Sequence, residues 1–180
     1  MMNETEACVA LWQTCFGEEA EAARACLCIP DVTLITLREE NTVVAMAVSV
    51  PVYTANEQGS YLYAVCVDPA WRGRGYFRRL MQKCEADAQQ KQSAFVCLIP
   101  ANEILGETYR RMGYGKTVAL WDAMPASAEQ IRCASEGFAL LAKEWYENEH
   151  CTRYGLLKRL VPMQKNNERE LAFSCPMGEV

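Results

Sequence analysis

Histidine is almost missing from this sequence of 180 residues, which contains only His150. The ten cysteines form no CxxC pair, and only Cys26 and Cys28 lie close together in the chain. Zinc sites need several clustered cysteine and histidine ligands, so the sequence predicts no metal site. We interpret the cysteines as reduced residues that pack like small hydrophobic side chains, and His150 as a surface residue.

Long apolar runs are also missing, because no stretch approaches the ~18 residues that a membrane helix needs. The N-terminal region is acidic, with Glu4, Glu6, Glu18 and Glu19. It therefore lacks the basic and then apolar segments of a signal peptide. These two absences predict a cytoplasmic protein with no membrane partner.

Positive charge is in deficit, with 18 Lys and Arg residues against 23 Asp and Glu residues and a net charge of −5. A general nucleic-acid-binding domain is usually basic, so no nucleic-acid partner is expected. The basic cluster within residues 72–79 is thus a local feature of an acidic protein. It indicates a small anionic ligand.

The chain has no internal repeat, low-complexity segment or linker, and its length suits one domain over residues 1–180. The spacing of apolar residues predicts its elements. The predicted helices span residues 3–16, 18–28, 77–88, 102–112 and 127–147. The predicted strands span residues 32–38, 43–52, 61–67, 94–99, 114–123 and 154–161, with a polar loop at 56–60. Strands followed by alternating helices and strands predict an α+β fold, a mixed sheet flanked by helices.

Residues 61–85 form the most informative stretch, a predicted strand, a tight turn and an amphipathic helix. The turn, Arg72-Gly73-Arg74-Gly75, leads directly into the helix. Free N–H groups and the helix dipole make such a helix start a site for anions. Arg78 and Arg79 add two more cations. The stretch therefore predicts a site for phosphate or pyrophosphate.

Two common phosphate-binding motifs do not fit this region. The dinucleotide motif G-x-G-x-x-G would use Gly73 and Gly75, but its third glycine position holds Arg78. Gly115-Lys116-Thr117 matches the end of a P-loop, but the first glycine position holds Arg110 and a strand follows. Both interpretations fail.

A third motif fits. The sequence resembles the GCN5-related N-acetyltransferase (GNAT) superfamily, whose acetyl-CoA motif R/Q-x-x-G-x-G/A lies between a strand and a helix. Here the motif reads Arg72-Gly73-Arg74-Gly75-Tyr76-Phe77. A second family element is an Asn that opens a later helix, a Tyr seven residues on, and then x-x-x-G-F/Y. This chain has Asn102, Tyr109 and Gly113-Tyr114 in that order. The resemblance covers residues 32–123.

The resemblance implies an acyl-CoA N-acyltransferase fold with a mostly antiparallel twisted sheet, and acetyl-CoA as co-substrate without a metal. It implies that backbone amides of the turn and helix start hold the pyrophosphate, that one strand edge pairs with the pantetheine, and that Asn102 contacts the cofactor arm. The implied cofactor-binding residues are Val65, Cys66, Val67, Arg72, Gly73, Arg74, Gly75, Tyr76, Phe77, Arg78 and Asn102. The implied catalytic residue is Tyr109, as proton donor to the leaving thiolate.

That role suits the chemistry of a phenol, which has a pKa near ~10 and is protonated at pH 7. The implied reaction is direct attack of a neutral primary amine on the thioester, so the protein mainly positions and polarises the reactants. The acceptor is expected to be an amine on a small molecule or peptide. Tyr109 as a plain core aromatic is the structural alternative.

The chain departs from the family pattern at two places. Phe77 stands where a small residue is usual, and we expect its ring to turn into the core because it begins the apolar stripe of the helix. The strand before the motif carries no Glu as general base, and Glu57 is the nearest substitute, although it is more simply a solvated loop residue. These departures keep open a CoA-binding sensor or partner protein without catalysis. A small-anion or nucleotide binder that uses the turn alone is a third interpretation.

Two groups of residues are left without a definite role. Several aromatic residues either line an acceptor cleft or belong to the core; they are Tyr53, Tyr61, Tyr63 and Trp121. Residues 124–180 either complete the fold, shape the acceptor site or supply a homodimer contact.

Overall fold

The computed structural model describes residues 3–134, 152, 154–161 and 170–173. The helices are α1 (Glu4–Phe16), α2 (Ala20–Leu27), α3 (Tyr76–Gln90) and α4 (Glu103–Arg111). The strands are β1 (Thr33–Glu39), β2 (Thr42–Tyr53), β3 (Gln58–Val67), β4 (Phe95–Leu98), β5 (Lys116–Ala119), β6 (Glu129–Cys133), β7 (Tyr154–Arg159) and β8 (Leu171–Phe173). Within these ranges, none of the helices is long and apolar enough to cross a membrane.

The strands form one mixed sheet in the order β1-β2-β3-β4-β7-β5-β8-β6, and β6 also pairs with β2. The β1–β2, β2–β3, β4–β7, β5–β7 and β2–β6 pairs are antiparallel, and the β3–β4, β5–β8 and β6–β8 pairs are parallel. This confirms the predicted mixed and mostly antiparallel sheet.

Helices cover both faces of the sheet. Trp12 of α1 belongs to one core cluster, and Leu80 and Met81 of α3 belong to the other. Residues 43–50 of β2 are therefore all buried. A strand covered on both faces has an unbroken apolar sequence instead of an alternating one, which is why VVAMAVSV lies at the centre of the fold.

The helix predicted over residues 127–147 is wrong in its described part, because residues 129–133 form β6. The Ser127–Gln130 spacing resembles a helix cap, but the backbone of β6 pairs with β8 and with the end of β2. Long-range pairing thus overrides the local preference. The rest of the predicted helix, from residue 135, lies outside the described residues.

Other differences are smaller. The strand predicted over 114–123 is shorter, since β5 spans Lys116–Ala119 and a 3-10 turn follows at Trp121–Ala123. The predicted loop at 56–60 supplies the first residues of β3, from Gln58. The apolar segment near the C-terminus contains the short strand β8, which extends the sheet through long-range pairing.

Candidate active site

A cleft opens where β3 and β4 separate. The two strands are paired in parallel only over residues 59–61 and 95–97. Beyond this point β3 continues to Val67, whereas β4 ends at Leu98 and the chain turns into α4. The diverging ends of neighbouring parallel strands are a usual place for a ligand.

A β-bulge lies in β3 at the mouth of this cleft. Tyr63 pairs with Val48 and Cys66 pairs with Met46, so residues 64 and 65 oppose a single residue of β2. Ala64 adopts φ +50°, an unusual conformation for a residue with a side chain. A bulge leaves the extra residue outside the ladder of hydrogen bonds. Here it changes the direction of the backbone N–H and C=O groups of β3 beside the cleft.

The first cavity of the cleft has a volume of about 270 Å³. Its lining combines the inner half of β3, the end of α1, the segment after β4 and the inner face of α4. The lining residues are Trp12, Phe16, Glu18, Tyr61, Leu62, Tyr63, Ala64, Val65, Leu98, Ile99, Ala101, Leu105 and Tyr109.

Tyr109 lies between the first cavity and the core. Its side chain is 5% exposed, and its ring packs against Phe77 at 5.5 Å and Tyr114 at 5.8 Å between ring centroids. Burial raises the pKa of Tyr109 well above its ordinary value, because a phenolate would lose hydration there. Tyr109 is thus a protonated phenol at neutral and moderately alkaline pH.

The second cavity, of about 380 Å³, lies over the start of α3. Its lining comes from the turn before α3, the first residues of that helix and the outer side of α4. The lining residues are Val67, Trp71, Arg72, Gly73, Gly75, Tyr76, Phe77, Arg78, Thr108, Arg111 and Met112. Gly73 and Gly75 have φ values of +74° and +83°, and no side chain caps the helix at Gly75. The first N–H groups of α3 therefore lack a side-chain acceptor from the cap residue.

The cations of the turn have different partners. Arg72 Nε donates to the Val67 carbonyl at 3.1 Å, which holds this guanidinium beside the end of β3. Arg74 packs over the Trp71 ring, and Arg79 pairs with Glu39. Of the four arginines in the turn and the first residues of α3, Arg72 and Arg78 line the second cavity, where Arg111 of α4 joins them. The sequence pattern does not indicate Arg111, because α4 meets the turn only in the folded chain.

The model of the acetyltransferase (GNAT) domain family matches residues 2–117. The chain belongs to the GNAT family. No curated protein matches the sequence. Among solved structures, the GNAT family N-acetyltransferase YhbS from Escherichia coli in complex with CoA has a TM-score of 0.63 at 16% identity, covering 97% of this chain and 86% of that one.

Two further solved structures support the fold. The ribosomal-protein-S18-alanine N-acetyltransferase from Escherichia coli has a TM-score of 0.57 at 11% identity, covering 92% of this chain and 95% of that one. A conserved protein from Enterococcus faecalis has a TM-score of 0.52 at 18% identity. The match covers 64% of this chain but only 30% of the length of that protein. At these identities the likeness concerns the fold alone.

Several family-motif residues have packing partners in this GNAT chain. Phe77 is half-buried, lines the second cavity and packs against Tyr109, whereas Tyr76 is the more buried residue at the start of α3. Asn102 is exposed and caps α4, since its Oδ1 accepts a hydrogen bond from Leu105 N at 2.9 Å. Neither cavity has Asn102 among its lining residues.

The acidic residues near the cleft differ from the sequence-based expectation. Glu57 forms an ion pair with Arg159 of β7 and lines neither cavity. Glu18 lines the first cavity instead, and its Oε2 accepts a hydrogen bond from Trp12 Nε1 at 2.7 Å. The sequence places Glu18 only in an acidic N-terminal region, because nothing in local spacing shows that the α1–α2 connection reaches β3.

Two cysteines lie beside Val67, a residue that lines the second cavity. Cys15 of α1 donates from Sγ to the Val67 carbonyl at 3.6 Å and also contacts Cys66 of β3. The hydrogen bond from Cys66 and the nearby Arg72 guanidinium lower the pKa of Cys15. All eight cysteines within the described residues are free thiols, and five of them are buried, namely Cys8, Cys26, Cys66, Cys84 and Cys97.

Proposed function

We propose that this protein transfers the acetyl group of acetyl-CoA to a primary amine by direct attack of the amine on the thioester. One observation carries the proposal. Two neighbouring cavities lie along β3 and α4: the second lies over the uncapped, arginine-rich start of α3, the first has the buried Tyr109 in its lining, and Phe77 of the second packs against Tyr109 of the first. This order of groups matches a long ligand with a diphosphate at one end and a thioester at the other.

The start of α3 is the proposed pyrophosphate site. The glycines at 73 and 75 allow the turn to present the N–H groups of residues 73–78 to one anion, and the helix dipole adds partial positive charge. Arg72, Arg78 and Arg111 line the same cavity and supply full positive charges. The donors and charges therefore fit the diphosphate of CoA.

The free edge of β3 is the proposed pantetheine site. Residues 65–67 lie beyond the last residue paired with β4, so this edge can accept an extended ligand as an additional strand. The amide of Asn102 would contact the same arm through its Nδ2, while its Oδ1 caps α4. When bound, acetyl-CoA supplies an activated acetyl group.

The residues beside the thioester carry the proposed chemistry. Backbone N–H groups freed by the bulge at Ala64 would polarise the thioester carbonyl. The nitrogen of a neutral amine forms the new C–N bond as the C–S bond breaks, and Tyr109 gives its proton to the departing thiolate. The nitrogen then loses its extra proton to solvent, and solvent returns a proton to Tyr109. Burial raises the pKa of Tyr109, so its phenol is protonated at neutral pH when the C–S bond breaks.

A CoA-binding sensor without catalysis is the alternative. Phe77 and the lack of a carboxylate on β3 favour it, whereas the presence of Glu18 and Tyr109 in one cavity favours catalysis. Two measurements distinguish them. Calorimetry with acetyl-CoA should show one site per chain, and a thiol-release assay over a panel of amines should show turnover with at least one acceptor.

The outcomes of these two measurements distinguish the enzyme, the CoA-binding sensor and the small-anion binder. No binding of acetyl-CoA would reject both the enzyme and the sensor and leave the small-anion binder, which pyrophosphate titration tests. Binding without thiol release for any amine in the panel would contradict the proposed transfer.

A further inference from the structure

The acceptor end of the first cavity has a continuous aromatic wall. The Trp12 ring lies 5.5 Å from Phe16 and 5.9 Å from Tyr63, and Tyr63 stacks on Tyr61 at 6.5 Å between centroids. All four residues line the cavity; Trp12 and Tyr61 are almost fully buried, at 1% and 2% exposed, whereas Tyr63 is half-buried and Phe16 is 42% exposed. Such a wall favours a flat apolar group, and the two accessible rings, Tyr63 and Phe16, can also attract a cation.

Glu18 stands at the end of this wall. Gly17 ends α1 in the left-handed conformation, with φ +73°, and turns the chain back so that Glu18 reaches Trp12 six residues earlier. The indole N–H of Trp12 binds Oε2 of Glu18 at 2.7 Å, and no hydrogen bond from the described residues reaches Oε1. The carboxylate is therefore fixed in direction and has one oxygen open to a ligand.

Glu18 is the single carboxylate among the described residues that line the first cavity. The same described lining contains no lysine or arginine. The described lining thus presents one negative charge, an aromatic wall and the Tyr109 phenol, and this combination is complementary to one ammonium group on an apolar body.

From this arrangement we infer that the acceptor is a small primary monoamine with an aromatic or otherwise flat apolar body, and that Glu18 binds its ammonium group. The inference rests on the proposed acetyl transfer and names its acceptor class. Glu18 acts here as a specificity-determining residue that binds the ammonium group and orients the nitrogen towards the thioester. The amine attacks in its neutral form, after this nitrogen has lost a proton to solvent. Trp12 is a positioning residue, because it holds the carboxylate.

The same arrangement excludes other amines. An acidic amino acid would place its own carboxylates against Glu18 and the aromatic wall, where like charges repel and desolvation is costly. A polyamine or aminoglycoside would bring several cations to a cavity of about 270 Å³ in which the described residues supply one carboxylate. A monoamine such as phenethylamine or tyramine satisfies the charge and the wall together.

The test is steady-state kinetics of the full chain with acetyl-CoA and five acceptors, namely phenethylamine, tyramine, spermidine, glutamate and kanamycin. We expect the two arylalkylamines to exceed each of the others at least tenfold in kcat/KM. Turnover of another acceptor in preference to them would overturn the acceptor class and leave the proposed transfer intact. Turnover of none, with acetyl-CoA bound, would contradict the proposed transfer itself.

Substitution of Glu18→Gln tests the role of the carboxylate. Glutamine keeps an oxygen for the Trp12 indole and removes only the charge, so folding should be preserved. We expect the KM for phenethylamine to rise at least tenfold, as for loss of a hydrogen bond to a charged group, with kcat changed less and the Kd of acetyl-CoA unchanged.

The neighbouring Glu19→Gln is the matched control, because Glu19 is exposed, lines neither cavity and makes no side-chain cap bond. It removes the same charge one residue away and should leave the KM for phenethylamine within twofold. An unchanged KM in the Glu18 variant, or equal rises in both variants, would overturn the assignment.

Discussion

Tyr109 shows how one residue combines a packing role with a chemical one. Its ring holds Phe77 and Tyr114 together at the junction of α3, α4 and the sheet, and its side chain also lines the cavity proposed for the thioester. A packing role needs only the ring, whereas proton donation needs the hydroxyl. The two roles can therefore be separated by removing one oxygen atom.

We expect Tyr109→Phe to lower turnover about 100-fold, a typical loss for a general acid, while the Kd of acetyl-CoA and the melting temperature stay close to wild type. Because burial raises the pKa of Tyr109, its phenol stays protonated as pH rises. Below about pH 10, the ordinary pKa of a phenol, ionisation of Tyr109 should therefore cause no fall in the wild-type turnover rate. The pH profiles of wild type and variant should have the same shape over this range. Equal losses of turnover and of acetyl-CoA affinity would mean that the tyrosine is structural.

Phe77 illustrates how a residue that departs from the family motif is accommodated. The apolar stripe of α3 predicts that this phenyl ring turns into the core, and the ring lies half-buried against Tyr109 while still lining the second cavity. It thus contributes to the wall of the second cavity while packing against Tyr109. Its position relative to Tyr109 depends on how α3 packs against α4, which local spacing does not specify.

At the scale of elements, the turn before α3 depends on backbone conformations with positive φ, which residues other than glycine avoid. Gly75 has φ +83° with no atom within 4 Å of an added Cβ. Substitution to alanine therefore tests conformation alone, without a steric clash. A residue with a side chain costs about 1–2 kcal/mol in this region of φ.

We expect Gly75→Ala to lower the free energy of unfolding by about 1–2 kcal/mol and to weaken acetyl-CoA binding about tenfold, because relief of the strain would rotate the N–H groups away from the anion. Chemical denaturation and calorimetry measure the two effects. The control is Gly115→Ala, since Gly115 also has open space but ordinary φ. If both variants bind acetyl-CoA alike, the conformation of the turn has no part in binding.

The start of α4 allows a test in which stability and binding separate. Asn102 caps the helix through Oδ1, and its proposed contact with the cofactor arm uses Nδ2. Aspartate keeps a capping oxygen and loses the amide donor, whereas alanine loses both. The two variants therefore assign each effect to one atom.

We expect Asn102→Ala to cost about 1 kcal/mol of unfolding free energy and Asn102→Asp to cost almost none. Both should raise the Kd of acetyl-CoA, and Asp should raise it more because a new negative charge would face an anionic ligand. Urea denaturation and calorimetry provide the two readouts. Wild-type affinity in both variants would limit Asn102 to capping.

At the scale of the whole molecule, the two halves of the sheet are joined across β4. Glu57, directly before β3, forms an ion pair with Arg159 at the end of β7, and the two side chains are 27% and 21% exposed. The pair therefore connects segments far apart in sequence. This places Glu57 in the framework of the sheet, away from the lining of both cavities.

We expect Glu57→Gln to lower the free energy of unfolding by about 1–3 kcal/mol, because Arg159 loses its charged partner. Turnover of the best acceptor should stay within twofold of wild type. Thermal denaturation and steady-state kinetics measure these quantities, with the exposed Glu19→Gln as a charge-matched control. A roughly 100-fold slower turnover without loss of stability, the size of effect typical of a general base, would restore Glu57 to that role.

The fold could be predicted largely from sequence where local pattern and burial agree. The apolar run of β2, the amphipathic spacing of α3 and the Asn102 cap of α4 each lie in the structure where the pattern places them. The prediction failed at β6 because its partners, β2 and β8, are distant in sequence. A local sequence pattern contains no information about pairing between strands that are far apart in the chain.

By itself the sequence predicts that the turn at residues 72–75 binds an anion, since glycines and arginines before an amphipathic helix act through local geometry and charge. It also determined the family, because both motifs are short and contiguous. Only the tertiary structure decided which side chains share a cavity. Glu18, Tyr63, Arg111 and Tyr109 come from three separate regions of the chain, and the packing of α1 and α4 against β3 brings them to the cleft. Long-range packing, which local spacing does not encode, therefore sets the lining of the proposed acceptor end of the site.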